Sequence, residues 1–244
     1  MMRRPTFSVI IPVLHEGVLI NTMISQVRKD DPSAEVLVVD GDSNKSTISQ
    51  IKDKKVKGYY CKERGRARQC NHAAQKAKGD IIVFLHVDTT IPKGFFKALV
   101  KARKTSGLRA GAFDFMIDSP RNIFRVMEKL ATWRSRLTRV PYGDQAQWFE
   151  KEYFMSIGMF KPMPFMEDLE IMNRIKRRKD RIVISPTKVK TSARRWESEG
   201  VIYGILRNWT IEILWHLGWS AKTLGRYYKR GNAVYGKICF RRNK

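Results

Sequence analysis

The stretch that decides the fold is residues 7–16, which read FSVIIPVLHE. Its apolar, β-branched side chains are typical of a strand that is covered on both faces. Polar His15 and Glu16 end the stretch, and apolar residues at helical spacing follow from Leu19 to Val27. This pattern predicts a buried strand followed by a helix, which is the first half of a βαβ unit.

Two later stretches repeat this pattern. Residues 35–43 read EVLVVDGDS and residues 80–88 read DIIVFLHVD, and in each an apolar run ends in carboxylates. Helices are predicted to begin near Ser43, within the Ala-rich residues 61–78, and at Pro92. Strands that alternate with helices at this spacing predict an α/β fold with a mostly parallel, Rossmann-like central sheet flanked by helices.

The second half of the chain loses this alternation. It contains predicted strands at 110–118 and 181–185, an amphipathic helix at 123–137, and one or two amphipathic helices from Val201 onward. No repeat or Gly/Ser linker separates these parts. We therefore interpret residues 1–200 as one α/β domain and residues 201–244 as a basic, aromatic-rich C-terminal helical extension of that domain.

The charge balance is the unusual feature of the composition. The 244 residues include 48 Lys and Arg against 23 Asp and Glu, a net charge of +25. A surface this basic favours anionic partners, such as nucleoside diphosphates, nucleic acid or an acidic lipid surface. No acidic residue occurs from Ile213 to Lys244, so this segment is interpreted either as a solvated basic tail or as a contact for a membrane or another polyanion.

Cysteine usage and hydropathy indicate the compartment. Cys61, Cys70 and Cys239 show no CxxC spacing, so neither a disulfide framework nor a zinc site is expected and a reducing compartment is predicted. The apolar N-terminus has no signal-peptide cleavage pattern, and the most apolar late stretch, residues 201–220, carries Arg207 and other residues that are costly at bilayer depth. We expect a cytoplasmic protein without a membrane span.

Polar clusters follow three predicted strands, at residues 15–16, 40–43 and 86–88. Ligands bind outside the carboxyl ends of strands in open α/β sheets, so these clusters are expected to converge. Asp40 is suited to a base or a ribose hydroxyl, and Asp88 to Mg²⁺ or Mn²⁺ whose other ligands are diphosphate oxygens and water. His86 is interpreted as a second ligand or as a hydrogen-bonding neighbour, and helix capping is the alternative for each cluster.

A basic loop precedes the Ala-rich helix. Residues 64–69 read RGRARQ, and both arginine and a helix N-terminus favour diphosphate oxygens. Arg66 and Arg68 project in different directions, so one of the two is expected to contact the ligand. The alternative is a solvated basic turn.

Ordered motifs along the chain give the sequence a specific resemblance. SVIIPVLHE (8–16), VVDGDS (38–43), GRARQCN (65–71) and FLHVD (84–88) resemble family-2 glycosyltransferases. YGDQ (142–145), MEDLE (166–170) and TSARRW (191–196) are similar to one bacterial and archaeal subgroup, described as associated with radical-SAM/selenodomain proteins. The resemblance spans roughly residues 7 to 230 and implies a GT-A fold, an inverting transfer and a cytoplasmic nucleotide-sugar donor of UDP or GDP type.

The resemblance also implies the donor side of the site. Glu16 and Asp40 would bind the nucleoside, and Asp88 would hold the metal. The implied donor-nucleotide residues are Pro12, Glu16, Asp40, Asp42, Arg66, Arg68, His86, Val87, Arg194 and Arg195. His86-Val87-Asp88 stands where the wider family has Asp-x-Asp, so metal binding is expected to depend more on the diphosphate. Asp42, in place of a second Gly, and His72, where small residues are common, are expected to alter donor choice.

The acceptor side is predicted from the acidic motif. An inverting transfer needs a base that removes the acceptor hydroxyl proton. Asp168 is the predicted base with Glu167 second, and a helix-capping acidic pair is the alternative. Gly143, Asp144 and Gln145 are expected to shape the acceptor pocket, where Asp144 would bind a hydroxyl.

Residues 192–196, which read SARRW, are predicted to close over the donor. Arg194 or Arg195 would offset charge on the leaving diphosphate, and Trp196 would offer a stacking face to a sugar. The alternative is a basic surface pair beside a core tryptophan. The later Trp and Tyr residues are interpreted as packing residues or as an interfacial helix on anionic lipid, which would suit a lipid or polyprenyl-linked acceptor.

The sequence also bears on two other function classes. A sugar nucleotidyltransferase would carry a Gly-rich loop after the first strand, where residues 12–16 read PVLHE. A nucleic-acid or membrane-binding module would fit the net charge, but it gives no reason for acidic clusters at strand ends, so no nucleic-acid partner is expected. An inactive relative would explain the missing carboxylate.

Overall fold

The structure is a computed structural model and describes residues 4–63, 65–104 and 107–228. The described chain divides into two units, residues 4–162 with 167–191 and residues 163–166 with 192–228. The predicted basic residues Lys229, Arg230, Lys237, Arg241, Arg242 and Lys244, together with Cys239, lie outside the described residues.

Within the described residues, the first unit is built on one eight-stranded sheet. Its strands are β1 (Phe7–Val13), β2 (Glu35–Asp40), β3 (Lys57–Tyr60), β4 (Ile81–Phe84), β5 (Thr89–Thr90), β6 (Leu108–Asp118), β7 (Trp148–Glu150) and β8 (Arg181–Ser192). Their order is β3-β2-β1-β4-β7-β6-β8-β5. The first four of these are parallel, whereas β7 pairs antiparallel with both β4 and β6, and β5 pairs antiparallel with β8.

The parallel strands β1, β2 and β4 are buried, as their apolar runs predict, whereas the edge strand β3 is only partly buried. Val13 pairs with Asp40 in β2, and Ile10 pairs with Phe84 in β4, so the carboxyl ends of β1, β2 and β4 open on one edge of the sheet. Gln69 strengthens this edge, because its amide donates to the carbonyls of Val13 and Val39 at 2.9 Å each. The predicted α/β class with a mostly parallel core is confirmed.

The helices of the first unit are α1 (Gly17–Asp30), α2 (Arg66–Lys76), α3 (Phe95–Arg103), α4 (Asn122–Thr138), α5 (Lys151–Ser156) and α6 (Glu167–Arg177). Short 3-10 turns occur at Ile48–Gln50 and Gly143–Gln145. The helix faces that pack on the sheet follow the predicted spacing: α1 buries Ile20, Met23, Ile24 and Val27, and α2 buries Ala67, Cys70, Ala73 and Ala74.

The helix predicted to begin near Ser43 is wrong. Residues 41–47 form a loop, and only the 3-10 turn Ile48–Gln50 follows. The physical reason is Asp40, whose carboxylate accepts hydrogen bonds from the backbone N–H groups of Asp42 (3.0 Å) and Thr47 (2.9 Å). Such local side-chain bonds compete with a helical backbone.

The second unit contains α7 (Arg194–Glu199), α8 (Val201–His216) and a helical segment at 221–228. A buried ion pair joins the two labelled helices, because Arg207 contacts Glu199 at 2.8 Å. Trp196 packs against Gly204, where an added Cβ would lie 2.8 Å from the indole ring. Across all described residues, no helix combines the length and apolar character needed to cross a membrane.

Candidate active site

A narrow cleft opens at the carboxyl edge of the parallel strands. The chain that follows β4 forms one wall with His86, and the start of α2 forms another with Arg66. The first turn of α6 contributes Glu167 and Asp168, and the 3-10 turn contributes Gly143. Segments that are far apart in sequence therefore place an arginine, an imidazole and two carboxylates around one space.

Arg66 is the centre of this cluster. Its Nε donates to Glu167, one terminal nitrogen lies 3.2 Å from Asp168 Oδ2, and the other lies 2.8 Å from His86 Nε2. Burial disfavours the charge on the guanidinium, but the attraction of the two carboxylates outweighs it and raises the pKa of Arg66. Arg66 is therefore a fixed positive charge that holds the acidic pair in place.

Gly143 gives Asp168 its second anchor. The Gly143 N–H donates to Asp168 Oδ2 at 2.7 Å, and the Leu169 N–H donates to Oδ1 at 3.0 Å. An added Cβ at Gly143 would lie 2.9 Å from Asp168 Oδ2 and 3.2 Å from the Arg66 guanidinium. Only glycine lets the turn approach these two side chains so closely.

The two neighbouring carboxylates differ in access to the cleft. The side chain of Asp168 keeps 13% of its surface exposed, whereas that of Glu167 keeps 5%. Both lie in the first turn of α6, where the helix dipole favours negative charge. Asp168 is the more accessible of the predicted pair.

Apolar side chains form the floor of the cleft. Phe84 and Phe160 pack with ring centroids 4.9 Å apart, and Phe149 and Phe154 extend this aromatic cluster. Cys70 also lines the cleft, and burial raises the pKa of its thiol. A neutral thiol and aromatic rings exclude water from beneath the charged groups, which strengthens their electrostatic interactions.

The nucleoside residues predicted at the β1 and β2 ends are placed along the same edge. Pro12 lines the cleft, and half-buried Glu16 donates its backbone N–H to the Thr47 hydroxyl oxygen at 3.0 Å. Asp40 is fully buried, and its carboxylate organises the loop that follows β2. Asp42 is held likewise: the side-chain hydrogen bond of Ser46 is the main cause that lowers its pKa. Direct contact of Asp40 with a nucleoside stays a prediction.

The metal prediction rests on Asp88. This residue is half-buried in the turn after β4, beside Val87, and its carboxylate makes no hydrogen bond or ion pair within the described chain. The described residues contain no group of three or more His, Cys, Asp or Glu that could hold a metal alone. One unengaged carboxylate fits a hard divalent cation whose remaining ligands are substrate oxygens and water. His86 contacts Arg66 through Nε2, so Nε2 serves that contact in this conformation.

Arg66 and Arg68 point in different directions. Arg66 lines the cleft, whereas Arg68 is exposed and pairs with Glu63. Only Arg66 of these two is brought to the candidate site. His72 lies outside the cleft, where its ring contacts Tyr59 edge-on at 5.9 Å.

Gln145 lies inside the protein, and its predicted part in shaping the acceptor pocket stays a prediction. It is fully buried, and its amide bonds to Ser135 Oγ, Tyr142 N and Phe113 O at 2.9 Å each. Asp144, next to it, is half-buried and keeps access to solvent. The acceptor prediction in this turn therefore depends on Asp144.

The remaining predicted residues belong to the second unit. Arg194 is exposed and contacts Ser192, and Arg195 donates to the Tyr228 hydroxyl at 2.7 Å. Trp196 is buried, with the Arg195 guanidinium 5.2 Å from its ring centre. Within its unit this is a basic pair beside a core tryptophan, and contact of these residues with a donor stays a prediction.

Sequence reasoning missed two residues that support the cleft, Gln147 and Asn71. Gln147 is buried and donates to the carbonyls of Pro141 (2.9 Å) and Asp168 (3.3 Å). These bonds connect the residue just before β7 to helix α6. Asn71 donates to the Phe160 carbonyl at 2.7 Å and accepts from its N–H at 3.1 Å.

The fold and the cleft together define a class of protein. The molecule is an α/β protein with a ligand cleft at the carboxyl edge of its parallel strands, in which an arginine faces two carboxylates. Residues 8–166 match the family described as Glycosyl transferase family 2, and the chain therefore belongs to this family. No curated protein matches the sequence significantly.

Solved structures agree with this assignment at the level of the fold, which is GT-A. Mannosyltransferase PcManGT from Pyrobaculum calidifontis, solved with GDP-Man and Mn²⁺, is 22% identical with a TM-score of 0.60 and covers 77% of this chain and 57% of its own. GalNAc-T7, solved with UDP, GalNAc and Mn²⁺, is 19% identical with a TM-score of 0.60. The match covers 77% of this chain and 44% of the GalNAc-T7 chain. Glucosyl-3-phosphoglycerate synthase from Mycobacterium tuberculosis, solved with Mn²⁺, UDP and phosphoglyceric acid, is 17% identical with a TM-score of 0.59. The match covers 75% of this chain and 69% of the synthase chain. The chain thus spans about half the length of the first two.

Proposed function

We propose that this protein transfers a sugar from a nucleoside-diphosphate sugar to an acceptor hydroxyl with inversion at the anomeric carbon. The observation that carries the proposal is the cluster of Arg66 with Glu167, Asp168 and His86 at the strand ends of a family-2 fold. The cluster supplies both a proton acceptor and positive charge, which are the two groups that such a transfer needs.

Asp168 acts as the general base in this proposal. It accepts the proton of the acceptor hydroxyl while the acceptor oxygen bonds to the anomeric carbon, and the bond from that carbon to the diphosphate breaks with its electron pair on the leaving group. Gly143 and Arg66 fix the carboxylate at 2.7 Å and 3.2 Å, so its position is set before substrate binds. Glu167, which is more buried, takes the supporting role.

Arg66 supports the departing diphosphate. Three of its five N–H donor directions meet Glu167, Asp168 and His86, and the others are available to phosphate oxygens because 35% of the side chain is exposed. A guanidinium preorganised in this way stabilises charge that grows on the leaving group.

Asp88 is the residue that would hold a divalent cation, Mg²⁺ or Mn²⁺, together with diphosphate oxygens. When bound, such a cation would supply Lewis-acid stabilisation of the leaving diphosphate. Three similar structures were solved with Mn²⁺, and their ligands are GDP-Man, or UDP with other molecules. We propose a UDP or GDP sugar as the donor on this support.

The acceptor is proposed to be a lipid or polyprenyl-linked hydroxyl, in a protein that works in the cytoplasm at the membrane surface. The motifs at 142–145, 166–170 and 191–196 favour the subgroup associated with radical-SAM/selenodomain proteins. In the second unit, exposed Trp209 and Trp219 and basic Arg226 support a peripheral membrane contact. Residues 201–244 are proposed to form an extension of the transferase domain.

Product analysis tests the reaction class. The purified protein is incubated with Mn²⁺ and each of a panel of UDP and GDP sugars, with polyprenyl-linked sugars and simple sugars as acceptors. Release of nucleoside diphosphate together with an inverted glycoside supports the proposal. Release of pyrophosphate from sugar phosphate and nucleoside triphosphate would instead identify a nucleotidyltransferase, and a retained anomeric configuration would contradict direct displacement.

A further inference from the structure

Helix α4 carries an apolar stripe that faces solvent. Its members recur at helical spacing and are substantially exposed: Ile123 37%, Val126 54%, Leu130 47%, Trp133 66% and Leu137 67%. The opposite face packs on the protein and fully buries Phe124 and Ser135. Scattered exposed apolar residues are normal, but a continuous stripe that includes a tryptophan marks an interaction surface.

Basic residues flank this stripe. Residues 121–139 contain Arg121, Arg125, Lys129, Arg134, Arg136 and Arg139 but only one acidic residue, Glu128. Glu128 is buried and pairs with Arg125 at 2.9 Å, so α4, which is described throughout, presents no carboxylate to solvent. Lys129 and Arg139 are exposed, and neither forms an ion pair with another described residue.

The charge pattern selects the partner. If a second copy of the chain docked through the same stripe, two sets of basic residues would face each other, and the net charge of +25 would add to the repulsion. An anionic lipid surface complements both features, because it receives the apolar stripe among its acyl chains and pairs the basic flank with phosphates. A tryptophan is also favoured at the level of the head groups.

We propose that α4 is an interfacial helix that docks the protein on an anionic phospholipid bilayer. Trp133 and Leu137 insert at head-group level, and Lys129 and Arg139 contact lipid phosphates. Docking needs no nucleotide sugar and does not depend on the transfer reaction. It goes beyond the proposed function because it places a membrane contact on α4 of the first unit.

Helix α4 is also bonded to the candidate acceptor turn. Ser135 Oγ donates to Gln145 at 2.9 Å, and Gly143 of the same turn donates to Asp168 at 2.7 Å. Docking of α4 would therefore hold this side of the cleft close to the membrane surface, where a lipid-linked acceptor is available. This consequence for the acceptor, unlike the docking, rests on the proposed function.

Vesicle sedimentation of the purified full chain, without nucleotide or sugar, tests the docking. The wild type is expected to bind phosphatidylcholine vesicles that contain phosphatidylglycerol, and to lose this binding at high salt because screening weakens the contacts with lipid phosphates. Two double variants, Trp133→Ser/Leu137→Ser and Lys129→Glu/Arg139→Glu, are each expected to weaken binding about tenfold or more.

Matched controls separate docking from folding and from general charge. Val18→Ser on α1 and Lys97→Glu on α3 change exposed residues of the same types and are expected to bind as the wild type does. Trp133→Phe is expected to retain binding, and unchanged melting temperatures show that the double variants fold.

Three results would overturn the proposal. They are wild-type vesicle affinity in both α4 double variants, no binding of anionic vesicles by the wild type, and a dimer in light scattering that the α4 variants abolish. The last result would show that the stripe is an interface between two copies. Because no donor is present, failure of the transfer reaction leaves this measurement unaffected.

Discussion

At the scale of single residues, the contrast between Asp168 and Glu167 is informative. The two are adjacent in sequence and share Arg66, yet only Asp168 also receives the Gly143 N–H, and it is the more exposed of the pair. A base must reach the acceptor hydroxyl and stay in position, and these contacts satisfy both needs. The geometry therefore favours Asp168 over its neighbour for proton transfer.

Asp168→Asn is expected to lower the rate of transfer by about 10²–10⁴-fold, because an amide cannot accept the proton. Its oxygen can still accept from Gly143, so the melting temperature and the donor dissociation constant should stay near the wild-type values. Steady-state kinetics and calorimetric donor titration measure the two effects. Asp118→Asn, at the exposed end of β6, is the matched control. Wild-type turnover in Asp168→Asn would remove this residue from the mechanism.

Gly143→Ala tests the close approach of the turn to the acidic pair. The added methyl group would lie 2.9 Å from Asp168 Oδ2 and 3.2 Å from Arg66, so the carboxylate must move. A shift of about 1 Å at a reacting group costs about 10²-fold in rate. We expect kcat to fall by about that factor in a folded protein, as measured by turnover and circular dichroism. Wild-type turnover of Gly143→Ala would show that the 3-10 turn shifts to accommodate the methyl group and does not fix Asp168 in position.

At the scale of elements, the sequence predicts the parallel core well because its strands carry continuous apolar runs. The apolar runs within residues 7–16 and 35–43 predict strands, which occur as Phe7–Val13 and Glu35–Asp40. Strand β3, Lys57–Tyr60, was missed because KGYY is short and lacks such a run. The helix at Ser43 failed because the sequence does not reveal that Asp40 turns inward to bond the loop backbone.

Contacts between residues far apart in sequence also limit how much of the candidate site the sequence predicts. Residue types at a strand end and at a helix start predicted that His86 and Arg66 take part, and the family resemblance implied Asp168. The structure brings these three into one cleft. The sequence could not show that Arg66 pairs with the acidic motif, because that contact joins residues about a hundred positions apart. Nor could it show that Gln145 is enclosed, since burial of a polar side chain depends on tertiary packing.

Helix α3 provides a test of element stability. Its N-terminus is capped from another helix, because Asp30 at the end of α1 accepts from the Phe96 N–H at 2.9 Å and from the Gly94 N–H. Asp30→Ala removes this cap and is expected to lower the free energy of unfolding by about 0.5–2 kcal/mol, as for other helix caps. Denaturant titration measures the change. The exposed control Asp118→Ala should stay within about 0.5 kcal/mol of wild type, and an equal loss in both variants would argue against the cap.

At the scale of the whole molecule, the distribution of charge links the cleft to the surface. The net charge of +25 attracts diphosphates and anionic lipid alike, yet the cleft itself holds Glu167 and Asp168 beside Arg66. General attraction brings anions to the protein, whereas the carboxylates of the cleft repel a bare phosphate chain unless a cation intervenes. The molecule is therefore suited to a metal-bridged nucleotide more than to nucleic acid.

Ligand-dependent stability tests that conclusion on the intact chain. A ligand bound only by the folded state raises the free energy of unfolding by RT ln(1 + [L]/Kd), about 2.7 kcal/mol at about 100 times Kd. For a chain of this size, each kcal/mol raises the melting temperature by about 2–4 °C. We expect one class of nucleoside diphosphate to produce such a shift, larger with Mn²⁺ than without it. Asp88→Ala should lose the Mn²⁺-dependent part and keep the rest, while Asp118→Ala should respond as the wild type. An identical Mn²⁺ response in Asp88→Ala would show that other residues hold the cation. A melting-temperature shift with anionic vesicles, and none with any nucleotide, would instead favour a binding module.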